Sequence, residues 1–288
     1  MIAACLKWVD HRPEFDAYGA PSSPDARFAG VSAADQAALE WALRCRDAWL
    51  GTGAGNGPDT GSSEYDEVVA ITVGPAEADT ILKDALVAGA TRAVRVDLPF
   101  GTPSRVVAAC IAPLTAHASL VVCGDYSSDR GTGSVPAFLA HELGFAQALG
   151  LIDIDLVSPR DTTALRRLDG GRRERLAIVG PIVVSVEGST ARLRRAPLRS
   201  MLGAKSIETV PGIWPLAPDP MVTLTRPYRP RPRVLAAPIG ATALDRVRAI
   251  TDASTTASHG ETVALEPAAA ADRVLATLRE WGYVGRPR

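Results

Sequence analysis

Cys123-Gly124-Asp125-Tyr126-Ser127-Ser128-Asp129-Arg130-Gly131-Thr132-Gly133-Ser134-Val135-Pro136 is the stretch on which the reading of the fold turns. A short apolar run, Ser119 to Cys123, ends here; a loop rich in glycine and hydroxyl side chains follows, and Pro136 opens a helical pattern. In an open α/β sheet this is where phosphates bind. Glycines let the main chain approach closely, free N–H groups point outward, and a helix terminus favours an anion. An ordinary connecting loop has the same composition, so the stretch gains meaning only from its surroundings.

Working upstream, strand and helix patterns alternate. Ile2 to Val9 reads as a strand ending at Asp10, and a Pro/Gly-rich loop runs to Gly30. Ser32 has the character of an N-cap for a helix to about Leu50, with Asp35 in the capping-box position. Glu67 to Val73 is the next strand and stops at Gly74-Pro75; from Pro75, the residues Ala78, Ile81, Leu82, Ala85 and Leu86 share one helical face. Arg92 to Val96 reads as a strand and Pro103 to Ala116 as a helix. Downstream of the glycine loop, a helix is expected from Pro136 to Leu149. This alternation predicts a doubly wound α/β fold with a mostly parallel sheet and right-handed crossovers. Three strand ends, after Val9, at Val73-Gly74 and at Gly124, then converge on one pocket, the usual α/β arrangement.

The second half differs. Asp169-Gly170-Gly171 between two β-rich runs signals a hairpin, and Ile182 to Val186 adds a strand. Ser200 to Pro238 is proline-rich and reads as an extended arm, and a helix is expected from Pro267 to Trp281. The expected organisation is an α/β nucleotide-binding domain with hairpin over 1–195, an arm over 196–238, and a C-terminal segment over 239–288.

Composition narrows the classes. The 31 basic and 32 acidic side chains leave a net charge of −1, and aromatics make up 5% of the chain. Neither feature fits a nucleic-acid footprint or a base-stacking platform. No apolar run reaches the ~20 residues that cross a bilayer, and Lys7 and Asp10 interrupt the N-terminal run, so a cytoplasmic protein without membrane insertion is expected. Four dispersed cysteines without a CxxC pair, and four histidines without HxxxH spacing, read as buried thiols and scattered imidazoles, not as a metal site.

The order of these motifs resembles the beta subunit family of electron transfer flavoproteins. The family's Ala-Val-Lys-Arg-Val-x-Asp strand is matched in outline from Ala4 to Asp10, and its Asn-Pro-x-Asp-Glu-x-Ala-x-Glu-x-Ala helix start at Asp35, Ala38, Glu40 and Ala42. Its Ser-x-Gly-Pro segment is similar to Thr72 to Pro75. Its nucleotide loop, Gly-x-Gln-x-x-Asp-x-Asp-x-x-Gln-(Thr/Val), aligns without gaps onto Gly124 to Val135, and the helix after it ends at Gly144. Asp129 and Val135 agree; Tyr126, Gly131 and Ser134 depart from the pattern. The Asp-Gly-Gly hairpin, the Pro181 to Ser185 strand and the segment Arg194 to Lys205 complete the likeness. Within that family, the long Ala/Arg/Pro-rich chain and divergent loop resemble an actinobacterial branch, and the one associated with mycofactocin redox metabolism is the expectation.

The resemblance implies a Rossmann-like subunit that carries electrons and is no enzyme by itself. It implies an alpha subunit that owns most of an FAD site, with the C-terminal arm and helix wrapping that partner, and AMP or a second FAD held by this chain. It also implies a dehydrogenase as donor and a quinone-linked or other acceptor. The cofactor-binding residues it points to are Ala4, Cys5, His11, Ser32, Asp35, Val73, Gly74, Gly124, Asp129, Gly131, Thr132, Gly133, Ser134 and Val135. Leu198, with Lys205 beside it, is the expected anchor for a partner dehydrogenase. Two other readings stay open: a stand-alone adenine-nucleotide enzyme, ATP-hydrolysing or adenylate-forming, and a degenerate scaffold that has lost its nucleotide.

Overall fold

A computed structural model of the 288-residue chain describes residues 1–14, 25–51, 65–155, 162–178, 181–203, 206–213, 237–251 and 262–283. It divides into two units, Met1–Tyr228 and Arg229–Arg288. The first contains strands β1 (Ile2–Cys5), β2 (Trp8–Asp10) and β3 (Ala29–Val31), helix α1 (Ala33–Gly51), β4 (Val68–Gly74), α2 (Asp79–Ala88), β5 (Arg92–Asp97), α3 (Ser104–Thr115), β6 (Leu120–Gly124) and α4 (Val135–Leu143). These are followed by β7 (Ala146–Asp155), β8 (Thr162–Arg167), β9 (Arg173–Ile178), β10 (Ile182–Val186), the single turn α5 (Leu198–Met201) and β11 (Glu208–Pro211). In the second unit the described helices are α6 (Ala243–Ile250), with a Thr242–Asp245 capping box, and α7 (Pro267–Glu280).

Nine strands form one sheet in the order β11-β5-β4-β1-β6-β10-β7-β8-β9. From β11 to β7 every pairing is parallel; β7, β8 and β9 form an antiparallel meander. The chain moves outward from β1 to β4 and β5, then returns to β6 on the other side of β1. That reversal opens a crevice beyond the carboxyl ends of β1 and β6. Alternate residues of the central strands serve opposite faces: Ile2 and Ala4 pack with α1 and α2, and Ala3 and Cys5 with α3 and α4. Central strands buried on both faces read as continuous apolar runs, which is why they were legible.

Several sequence expectations change. The first strand is broken: Leu6 still donates to the Ile71 carbonyl at 2.8 Å, but the Lys7 amide turns away to the Asp35 carboxylate at 3.0 Å. Trp8 to Asp10 then pairs antiparallel with Ala29 to Val31 in a separate two-stranded ladder. The helix expected to Leu149 stops at Gly144, whose left-handed backbone (φ 65°) no side-chain-bearing residue adopts cheaply. Ala146 onward is strand instead. Its bulge at Gly150 is secured by the Ser185 hydroxyl, which accepts from the Gly150 amide at 2.9 Å. The proline-rich stretch after Ser200 is also not all arm, since Glu208 to Pro211 pairs in parallel with β5 at the sheet edge.

Helix α1 is covered on its outer side by residues 190–194. Glu40, 4% exposed, accepts from the Arg194 amide and Nε, both at 3.0 Å, and from Arg44 Nε at 2.9 Å, while Trp41 Nε1 donates to the Thr190 hydroxyl. Burial raises the cost of ionising Glu40, but the two arginines outweigh it and hold the carboxyl below its ordinary range. Arg194→Ala leaves that buried anion with Arg44 alone. It should lower stability by about 2 kcal/mol, read as a shifted denaturant midpoint at unchanged slope.

Candidate functional site

The crevice beyond β1 and β6 is a cleft with about 900 Å³ of empty space, part of it open to solvent. Its floor is apolar, from Cys5, Val73, Val107, Ile111 and Cys123. Its walls come from four connections at the ends of parallel strands: Lys7-Trp8 after β1, Gly74-Pro75 at the end of β4, Pro99 to Thr102 after β5, and Tyr126 to Ser134 after β6. Trp8 and Phe100 meet edge to face, ring centres 5.8 Å apart.

Two glycines let the main chain reach its position. A Cβ on Gly124 would press on Asp35 Oδ1 and, at 2.9 Å, on the Ala34 methyl, because the start of α1 lies directly over this strand end. A Cβ on Gly133 (φ 53°) would run into the Asp125 carbonyl oxygen. Only glycine allows the 125–134 loop to fold back this tightly before α4. Thr132 Oγ and Ser134 Oγ, 3.1 Å apart, add hydroxyls at the same place.

Asp35 is the buried polar centre. The Ser32 hydroxyl caps α1 by accepting from the Asp35 amide at 3.1 Å, while the Asp35 carboxylate accepts from the Lys7 amide and also engages the Gly124 amide. Burial outweighs these donors and pushes its carboxyl up to about 7. Above it, Lys7 Nζ sits 2.6 Å from both Asp129 oxygens and 3.4 Å from Ser127 Oγ. Burial opposes ionisation of Asp129, yet the Lys7 ammonium prevails and keeps that carboxyl below its ordinary range. Arg130 bridges to the opposite wall, donating to the carbonyls of Gly101 and Thr102.

Of the residues singled out in the sequence, Cys5, Asp35, Val73, Gly74, Gly124, Thr132, Gly133, Ser134 and Val135 line this cleft together. Others stand elsewhere. Ala4 faces α1 and α2 in the core, Ser32 is the cap of α1, and Asp129 and Gly131 stand behind the lining, with Gly131 against the Tyr126 ring. His11 belongs to a separate hollow under the β2–β3 ladder, with Gln36, Thr80 and Asp84. Leu198 is 72% exposed on α5, close in sequence to exposed Met201 and Leu202; Lys205 lies outside the described residues.

Sequence reasoning missed Lys7, Trp8, Ser127, Arg130 and the whole 99–104 wall as site residues. That wall had a signal. Pro99-Phe100-Gly101-Thr102-Pro103 joins a strand end to a helix start, as the two recognised loops do.

Fold and cleft together define a doubly wound α/β protein with its main cleft at the switch point of the sheet. A family profile for the electron transfer flavoprotein domain matches residues 28–211, and the chain belongs to that family. It is 33% identical over 158 residues to an electron transfer flavoprotein subunit beta of Methylophilus methylotrophus, covering 52% of this chain and 60% of that protein. The corresponding subunit of Chromohalobacter salexigens is 30% identical over 172 residues, 56% of this chain and 60% of that one. A mitochondrial beta subunit of Oryza sativa subsp. indica is 31% identical over 176 residues, covering 59% and 63%. The match thus spans about three fifths of each relative's length.

Two measurements probe this construction. The folded Asp35 carboxyl keeps its proton up to about pH 7, whereas the unfolded one releases it near 3.8. The folded state therefore holds the extra proton between those values and loses stability as pH rises through them. In thermal unfolding from about pH 5 to about pH 8, Asp35→Asn should gain steadily on the wild type, because it lacks this loss. Gly133→Ala should cost about 1–3 kcal/mol from positive φ and collision with the Asp125 carbonyl, measured by chemical denaturation.

Proposed function

We propose that this chain is the beta subunit of a heterodimeric electron transfer flavoprotein, binding an adenine nucleotide in the cleft and helping an alpha subunit to hold FAD. The observation that carries this reading is the glycine-dependent, hydroxyl-bearing loop that lines the cleft at the switch point, in a chain that belongs to this family. The cleft fits an adenylate by its chemistry: an aromatic and apolar side for a base, and a side of amides, hydroxyls and one ammonium for a phosphate.

FAD, when bound, supplies the redox chemistry; this chain's share is to bind, orient and exclude water. His11 is exposed at the end of the β2–β3 ladder, where its amide donates to the Phe28 carbonyl at 3.0 Å, and it is the residue of this chain assigned to the flavin side. The apolar residues of α6 and α7, among them Leu244, Val247, Val274 and Leu275, are exposed, and the alpha subunit is assigned as their cover. Leu198 is assigned as the anchor for a dehydrogenase that delivers electrons, which pass on to a quinone-linked or other acceptor.

Co-expression with an alpha subunit should yield a yellow complex, and mass spectrometry of the ligands released on denaturation should find FAD with AMP, or FAD in twofold amount. FAD alone would favour a scaffold without nucleotide. A monodisperse, ligand-free monomer that ignores the alpha subunit sinks the reading. Leu198→Ala should slow electron delivery from the dehydrogenase tenfold or more without moving the melting temperature, as expected of an exposed anchor that fills a pocket on its partner.

A further inference from the structure

Two cations line the cleft, and they are committed differently. The Arg130 guanidinium is turned to the far wall, where it joins the Gly101 and Thr102 carbonyls. Lys7 Nζ is held from behind. Two of its three N–H groups are taken by the Asp129 carboxylate at 2.6 Å, and among the described residues the third meets only Ser127 Oγ at 3.4 Å, beyond the usual hydrogen-bond range. The burial is asymmetric: the Lys7 side chain is 37% exposed and lines the cleft, while that of Asp129 is 13% exposed and does not. The cation is presented and its counter-ion hidden. The main-chain break at Lys7 creates this arrangement, because the Lys7 amide is diverted to Asp35 as the strand ends.

We propose that Lys7 is the phosphate-recognising residue of the cleft. Asp129 holds its ammonium in the cleft that Thr132, Gly133 and Ser134 also line, so that the site selects a nucleoside phosphomonoester over the free nucleoside. This rests on the adenylate reading above and adds to it the group that discriminates. Backbone amides alone carry only partial charge; a full positive charge with a spare donor makes a charge-assisted hydrogen bond, about twice the strength of a neutral one. Lysine acts here as an oriented point charge, so a conservative neutral replacement should remove selectivity while leaving the base side intact.

The test uses the full chain in complex with its alpha subunit, stripped of nucleotide and titrated calorimetrically with AMP and with adenosine. Lys7→Met should weaken AMP at least tenfold and adenosine less than threefold. Because that variant strands the Asp129 anion, the double variant Lys7→Met/Asp129→Asn is the decisive one, and it should still bind AMP at least tenfold more weakly than the wild type. Phosphorus NMR of bound AMP should show the phosphate's second pKa depressed in the wild type and restored in the double variant. Wild-type AMP affinity in the double variant would mean that Lys7 merely neutralises Asp129, and would overturn the proposal, as would equal wild-type affinities for AMP and adenosine. Binding of neither compound by the wild type removes the adenylate reading itself, and this inference with it.

Discussion

The site depends on one buried carboxylate. Parallel strands on either side of a switch point diverge, and nothing in the sheet's own ladder joins them beyond their last residues. Asp35, at the first turn of α1, fills that gap by accepting from Lys7 after β1 and engaging the end of β6 at Gly124. Because the Ser32 hydroxyl caps the same turn, α1 is seated by its first residues, and its length is then locked by Glu40 against Arg194. A buried carboxylate is expensive unless donors reach it, and here the donors are amides that the strand ends would otherwise leave unpaired. The closeness of α1 to the sheet follows: Gly124 can have no side chain because Asp35 and Ala34 occupy its space.

The cleft is assembled by the same economy. The walls after β5 and β6 are strand-to-helix connections and the one after β1 leads into the β2–β3 ladder, and the position of each is fixed by the rigid sheet beneath. The walls are then tied together by two side-chain crossings, Lys7 to Asp129 behind the lining and Arg130 to the 99–104 connection. Neither crossing is local; Lys7 and Asp129 are 122 residues apart in sequence.

That distance marks the boundary of what the sequence could tell. The doubly wound sheet was legible because central strands are buried on both faces and their apolar runs alternate with helical periodicity, as at Val68 to Gly74 and Ile81 to Leu86. The hairpin was legible from Asp169-Gly170-Gly171, two of whose residues take positive φ. The break at Lys7 was not, since Ile2 to Val9 is apolar throughout save for one lysine, and the interaction that bends it comes from α1. The 146–155 strand was hidden for a similar reason: its small and apolar residues continue the helix pattern, and only the left-handed turn at Gly144 separates the two. In the site, glycines and hydroxyls announced the loop, while the pairing of Lys7 with Asp129 and the reach of Arg130 depend on packing that no local pattern encodes.

The two rims of the sheet bear on how this chain can associate. One rim, β9, alternates outward charges at Arg173 and Arg175 with half-buried Glu174 and Leu176, and its neighbour β8 answers with Arg166 on Glu174. The other, β11, is four residues long and ends at Pro211, which has no amide hydrogen to offer. Short, charged or proline-terminated margins discourage the addition of a foreign strand. Addition of a strand to the nine-stranded sheet is therefore disfavoured at both of its borders, which directs association toward the helices and connecting loops.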